Sequence, residues 1–115
     1  MVNRLVVGAH YGLRDWLAQR ATAVVMLVYT LLLAVRLLGV PALDHDAWRA
    51  VFSPQWMKLA TLLFLLSVYY HAWVGVRNIF MDYIKHAGVR LALYVLVIAA
   101  LIVYAAWSAQ ILWSI

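Results

Sequence analysis

Three long apolar runs, at residues 21–38, 57–80 and 89–113, occupy most of this 115-residue chain. Each is close to or above the roughly 20 residues that an α-helix needs to cross the hydrocarbon core of a bilayer. With 69% of residues hydrophobic and 11% charged, the composition is also far from that of a soluble domain. The sequence therefore predicts an all-α integral membrane protein, a single domain over residues 1–115 with three transmembrane helices.

The segments between these runs are short and polar. Residues 41–55 are too polar to span a membrane, and Trp48 and Trp56 have the amphipathic rings that favour a membrane interface. Residues 81–88 form the second connection, in which Gly88 is a stop signal for the preceding helix. Both segments are predicted to be extramembrane loops.

The N-terminal residues 1–20 mix basic, polar and apolar side chains. Their apolar stretch is too short for the core of a secretory signal peptide. We expect an interfacial lead-in that is partly helical around residues 13–17 and is anchored by Trp16.

Basic residues outnumber acidic ones by nine to four, and all four acids are aspartates. In a soluble protein this excess would favour nucleic acid as a partner, but in a membrane protein it reflects the preference of Lys and Arg for the cytoplasmic side. The side that includes the N-terminus carries Arg4, Arg14, Arg20, Arg77, Lys85 and Arg90, whereas the other carries Arg36, Arg49 and Lys58. The N-terminus is therefore predicted to be cytoplasmic, with no nucleic-acid partner.

A polar face runs along the second apolar segment. Its five residues follow one another at steps of four, four, three and four, which places them on one side of a helix. They are Ser67, His71, Gly75, Asn78 and Asp82. Such a face is costly against lipid and is predicted to point toward a helix bundle, a cofactor, another subunit or water.

His71 is the titratable residue near the middle of that segment. It either hydrogen-bonds to a neighbouring helix or is an axial haem ligand, since neutral imidazole is a common ligand of haem iron. Gly75, one turn away, would let a porphyrin approach the backbone, although small residues also serve helix packing. The chain has no cysteine, which excludes thiolate ligands. A second histidine ligand would have to come from another polypeptide, because the remaining histidines lie outside the spans: His10, His45 and His86.

Four further residues near the predicted cytoplasmic side have two interpretations each. Arg20 either binds haem propionates or is an ordinary flanking arginine. Asp82 and Tyr83 either bind a quinone headgroup, with the tyrosine hydroxyl donating to a carbonyl, or form an interfacial anchor. His86 is interpreted as a solvated loop histidine, with proton delivery as the alternative.

Two stretches of the sequence resemble a known family. Residues 67–90, SVYYHAWVGVRNIFMDYIKHAGVR, resemble the second helix and following loop of the small hydrophobic membrane anchor of bacterial succinate dehydrogenase, respiratory complex II, the type associated with cytochrome b556. Residues 20–29, RATAVVMLVY, resemble the start of the first helix of that anchor. The most specific part is His71, Gly75 and the adjacent pair Asp82 and Tyr83.

This resemblance implies a fold in which the three helices pack with a second, sister membrane anchor into a bundle that binds haem b. His71 would be one axial ligand of the haem iron, and Arg20 would lie near the propionates. Tyr83 would hydrogen-bond to ubiquinone, and Asp82 would support that site. The other partners would be an iron–sulfur subunit and a flavoprotein subunit that oxidises succinate, in a bacterial inner membrane. The chain would be an anchor without a complete active site of its own.

Two alternatives of other classes remain. One is a small proton-coupled transporter subunit that uses His71 and Asp82 as a relay, although the sequence shows three spans and no acidic residue well inside one. The other is a structural membrane assembly protein whose polar face only pairs with another helix. Haem content distinguishes these alternatives from the anchor.

Overall fold

The computed structural model describes residues 9–115 and shows four α-helices and no strand within them. They are α1 (Ala9–Leu38), α2 (His45–Phe52), α3 (Gln55–Tyr83) and α4 (Ala87–Trp113). Three segments are long and apolar enough to cross a membrane, namely Leu13–Leu38, Gln55–Tyr83 and Ala87–Trp113. The predicted all-α class with three membrane spans is confirmed for this part of the chain. Arg4, one of the residues used to predict orientation, lies outside it.

Helix α1 extends further toward the N-terminus than the first apolar run. Hydropathy placed the start of the span at residue 21, with an interfacial lead-in before it, whereas α1 is continuous from Ala9. Hydropathy locates the residues that lipid accepts, but the backbone stays helical until a breaker intervenes. Polar residues in the first turns are accommodated through partners on α3, such as the ion pair of Asp15 with Arg77.

The connection between α1 and α3 contains a short helix that was predicted only as a loop. Helix α1 ends beside Gly39, and Asp44 then caps α2 by accepting a hydrogen bond from the Ala47 amide at 2.8 Å. One side of α2 is anchored by Val51, which is buried against α1 and α3. The connection is therefore packed on the ends of the spans.

Helix α3 is the central helix of the fold, since both α1 and α4 pack mainly against it. The core cluster lies where α1, α2 and the start of α3 meet, and it includes Tyr29, Val51 and the fully buried Met57. The ring of Tyr29 stacks on Phe64 with centroids 4.5 Å apart. A second fully buried side chain, Val74, lies further along α3, outside this cluster.

Four residues of α1, at intervals of seven, each contact α3 or α2 through a polar group. We call Asp15, Thr22, Tyr29 and Arg36 the polar column. An interval of seven is two helical turns, so the four lie along one side of α1. The contacts are Asp15 with Arg77, Thr22 with His71 at 3.0 Å, Tyr29 with Thr61 at 2.6 Å, and Arg36 with the Val51 carbonyl at 2.9 Å. The guanidinium of Arg36 also lies over the ring of Trp56.

Helix α4 packs on α3 through aromatic side chains. The Tyr69 and Ser108 hydroxyls are 2.7 Å apart, and Ser108 donates its own proton to a backbone carbonyl, so Tyr69 is the donor to Ser108. Trp73 meets Tyr94 edge-on at 5.6 Å, and Phe80 stacks on the same tyrosine at 6.1 Å. These contacts leave the rest of α4 uncovered, and 0% of its most apolar window is buried. Lipid or partner proteins must cover that surface.

Candidate functional site

His71 lies on the side of α3 that faces α1, and its ring nitrogen Nδ1 is 3.0 Å from the Thr22 hydroxyl. The hydrogen bond to a neighbouring helix, which was one interpretation of this histidine from the sequence, is therefore present. It occupies one ring nitrogen and leaves the other, Nε2, for a second partner. A hydrogen bond from His71 to a neighbouring helix is therefore compatible with a ligand role for the same side chain.

The residues on the polar face of α3 differ in how far the rest of the chain covers them. Ser67 is buried and His71 is half-buried, whereas Asn78 and Asp82 are exposed. Between them, a Cβ added at Gly75 would meet no atom within 4 Å, so the missing side chain opens onto space. A flat group could approach the backbone there, one turn from His71.

Among the histidines of the described residues, His71 lies near the middle of a span. The described residues contain no group of three or more His, Asp or Glu side chains that could hold a metal ion by themselves. His45 and His86 lie at the starts of α2 and α4, outside the middle of the spans. A single imidazole beside an open glycine fits what one half of a haem site would require from this chain.

Arg20 is exposed on α1, two residues from Thr22. Its guanidinium lies over the ring of Trp16, 5.0 Å from the centroid, in a cation–π contact. This contact holds the arginine at the end of the bundle where Asp15 and Arg77 meet. The charge remains accessible to an anionic group outside the chain.

Asp82 and Tyr83 lie at the last turn of α3, and both are exposed. Tyr83 is 77% exposed, so its hydroxyl is open to a partner or a ligand. Arg77 is close to Asp82 in sequence, but its ion pair is with Asp15 of α1. The described chain thus brings together His71 and Thr22, but it does not enclose Asp82 and Tyr83 in a pocket.

The ion pair of Asp15 and Arg77 was not predicted from the sequence. Both side chains are about one-third exposed or less. The Nε atom of Arg77 and the Oε1 atom of Gln19, one turn after Asp15, are buried without a hydrogen-bond partner among the described residues. Asp15, Gln19 and Thr22 follow one another at steps of four and three, the spacing of one helix face. This periodicity could have indicated a polar face on the first helix that continues before residue 21. It was missed because residues 1–20 were assigned to an interfacial lead-in.

We expect Asp15→Asn to lower the stability of the assembled protein by about 1–2 kcal/mol, because Arg77 would lose the counter-charge that accepts its hydrogen bond. The measurement is the thermal unfolding midpoint of the purified complex, followed by tryptophan fluorescence. Asp46→Asn, an exposed change on α2, is the matched control and should alter stability by less than about 0.5 kcal/mol. Equal midpoints for the two variants would contradict a structural role for the pair.

His86 has a structural task that was not predicted from the sequence. It is the N-cap of α4, and its Nδ1 accepts a hydrogen bond from the Val89 amide at 3.2 Å. Gly88 allows this arrangement, because a Cβ at that position would come within 3.1 Å of the His86 ring. Gly88 therefore lies in the first turn of α4 and makes room for its cap.

Two comparisons with known proteins agree with one another. A family described as succinate dehydrogenase/fumarate reductase transmembrane subunit matches residues 2–106, which include nearly all of the four helices. The succinate dehydrogenase hydrophobic membrane anchor subunit of Coxiella burnetii (strain RSA 493 / Nine Mile phase I) is 40% identical to this chain over 102 residues, which is 89% of each sequence.

Proposed function

Because the chain belongs to the succinate dehydrogenase/fumarate reductase transmembrane subunit family, we propose that it is a membrane anchor of a bacterial succinate:ubiquinone oxidoreductase that holds haem b and part of the quinone site. Its partners are a sister membrane anchor, an iron–sulfur subunit and a flavoprotein subunit. The uncovered apolar surfaces of the three spans support this role, since they require lipid and partner helices. Family membership also favours the anchor over the transporter and assembly-protein alternatives.

The observation that carries the haem assignment is the environment of His71. Its Nδ1 is engaged by Thr22, its Nε2 is left for a ligand, and the open position of Gly75 is one turn away. His71 would hold haem iron together with a residue of the sister anchor, and Arg20 would neutralise a propionate. The haem, when bound, supplies a one-electron carrier in the membrane.

Tyr83 is the residue of this chain proposed to bind quinone. Twelve residues separate it from His71 in one helix, so it lies about 18 Å along the axis, toward the predicted cytoplasmic surface. There its exposed hydroxyl can donate a hydrogen bond to a quinone carbonyl, whose oxygen gains negative charge as electrons arrive. Asp82 would support this site from the adjacent position. Reduction of the quinone to a quinol consumes two electrons and two protons, and succinate oxidation by the flavoprotein supplies the electrons.

The experiment that tests this function is purification of the tagged chain with its native partners in mild detergent. We expect an iron–sulfur subunit and a flavoprotein to co-purify, with succinate-dependent reduction of ubiquinone. A dithionite-reduced minus oxidised spectrum should then show a b-type haem. A complex that oxidises succinate but lacks haem would retain the anchor role and remove the haem assignment, whereas absence of both soluble partners would contradict the anchor role itself.

A further inference from the structure

The Thr22 hydroxyl is an oriented hydrogen-bond acceptor for His71. Its Oγ1 lies 2.7 Å from the Ala18 carbonyl oxygen and 3.1 Å from that of Gln19. A carbonyl oxygen can only accept, and the two short distances make this backbone pair the best-placed acceptor for the single hydroxyl proton of Thr22. Its lone pairs are then directed away from the backbone of α1, toward α3. With the hydroxyl proton placed there, the third neighbour, His71 Nδ1 at 3.0 Å, acts as the donor.

This assignment determines the tautomer of the imidazole. A neutral imidazole carries one proton, and if it is on Nδ1 the lone pair is on Nε2. In the part of the chain that the structure describes, the His71 ring hydrogen-bonds to no other side chain. Thr22 therefore determines both the tautomer and, through the direction of the bond, the angle of the ring about its axis.

We propose, on the basis of the proposed haem site, that Thr22 is a positioning residue that presents His71 Nε2 to the iron and raises its basicity. Donation from Nδ1 to an oxygen increases electron density on the opposite nitrogen, as the outer hydrogen-bond partners of metal-bound histidines do. A more basic ligand stabilises ferric over ferrous haem and lowers the reduction potential. Helix α1, which supplies no haem ligand itself, thereby sets the electronic properties of the ligand on α3.

The test uses Thr22→Val in the intact complex, since valine has nearly the shape of threonine but cannot accept a hydrogen bond. We expect the haem midpoint potential to rise in a potentiometric titration and the low-spin ferric g values to change in electron paramagnetic resonance. Thr22→Ser retains the acceptor and should stay close to wild type in both measurements. These readouts report on the ligand itself and not on turnover, so a merely structural effect on activity would not imitate them.

The matched control is Thr30→Val, a threonine of the same helix with the same type of bond to a backbone carbonyl, at 2.7 Å, but exposed and away from His71. Equal potentials and spectra for Thr22→Val and Thr30→Val would overturn the positioning role and leave the haem assignment intact. A wild-type complex without b-type haem would overturn both. If the valine variant does not assemble, Thr22→Ala removes the same acceptor in a smaller residue that favours the helix, and the same comparison applies.

Discussion

His71→Ala is expected to remove most of the b-type haem from the purified complex while its proteins still assemble. The side chain is half-buried and hydrogen-bonds to a single residue, so its loss leaves a small space beside α1 and does not dismantle the core around Tyr29 and Met57. Loss of outer-shell partners alone weakens metal sites by about 10–100-fold, and loss of an axial ligand should weaken haem binding at least as much. The measurement is haem per complex from the reduced minus oxidised spectrum.

A matched substitution and a chemical rescue make this experiment decisive. His45→Ala changes an exposed histidine of α2 and should retain the full haem content. Added imidazole can occupy the vacated space in the His71→Ala complex, and it should restore a low-spin haem signal there but change nothing in the His45 variant. Wild-type haem content with an unchanged spectrum in His71→Ala would exclude this residue as a ligand.

The second large effect is expected for Tyr83→Phe, which should slow quinone reduction about 10–100-fold in kcat/KM. Removal of a hydrogen bond to a carbonyl that becomes charged costs about 1.5–3 kcal/mol, and each 1.4 kcal/mol is a factor of ten. Because Tyr83 is 77% exposed at the end of α3, the missing hydroxyl should not affect folding. Succinate oxidation measured with an artificial dye should remain at the wild-type rate, since the dye bypasses the quinone.

Tyr104→Phe provides the control for this prediction. Tyr104 is an exposed tyrosine of α4, and its phenylalanine variant loses the same atom without changing the end of α3. Quinone kinetics should match wild type in this variant. If Tyr83→Phe and Tyr104→Phe have the same kcat/KM for quinone, Tyr83 does not donate the proposed bond.

The fold class could be predicted from the sequence because membrane spans are identified by hydropathy, a local property that each apolar run displays alone. The extent of α1 could not be predicted this way. Asp15 is polar when considered alone, and its ion pair with Arg77, 62 residues away, shows how the helix pair accommodates it. The short helix α2 was missed for a related reason. Its eight residues have mixed polarity, and they form a helix because Asp44 caps them and Val51 is buried.

The candidate site was predictable in part. His71 was recognisable because an ionisable residue inside an apolar run is conspicuous. Thr22 was not, because a threonine in a membrane helix commonly bonds to its own backbone, and its position opposite His71 depends on how two helices pack. The proposed roles of Arg20, Asp82 and Tyr83 remain predictions, since they concern groups outside this chain.

The polar column has a consequence for distances across the membrane. Sliding α1 along α3 by one turn, about 5.4 Å, would separate Asp15, Thr22 and Tyr29 from their partners on α3, whereas apolar contacts alone would re-form after such a shift. Sliding of α1 along α3 is therefore opposed at three depths at once. The imidazole of His71 is thereby kept at a fixed height along α1, so the proposed haem would keep a constant distance from both ends of the bundle.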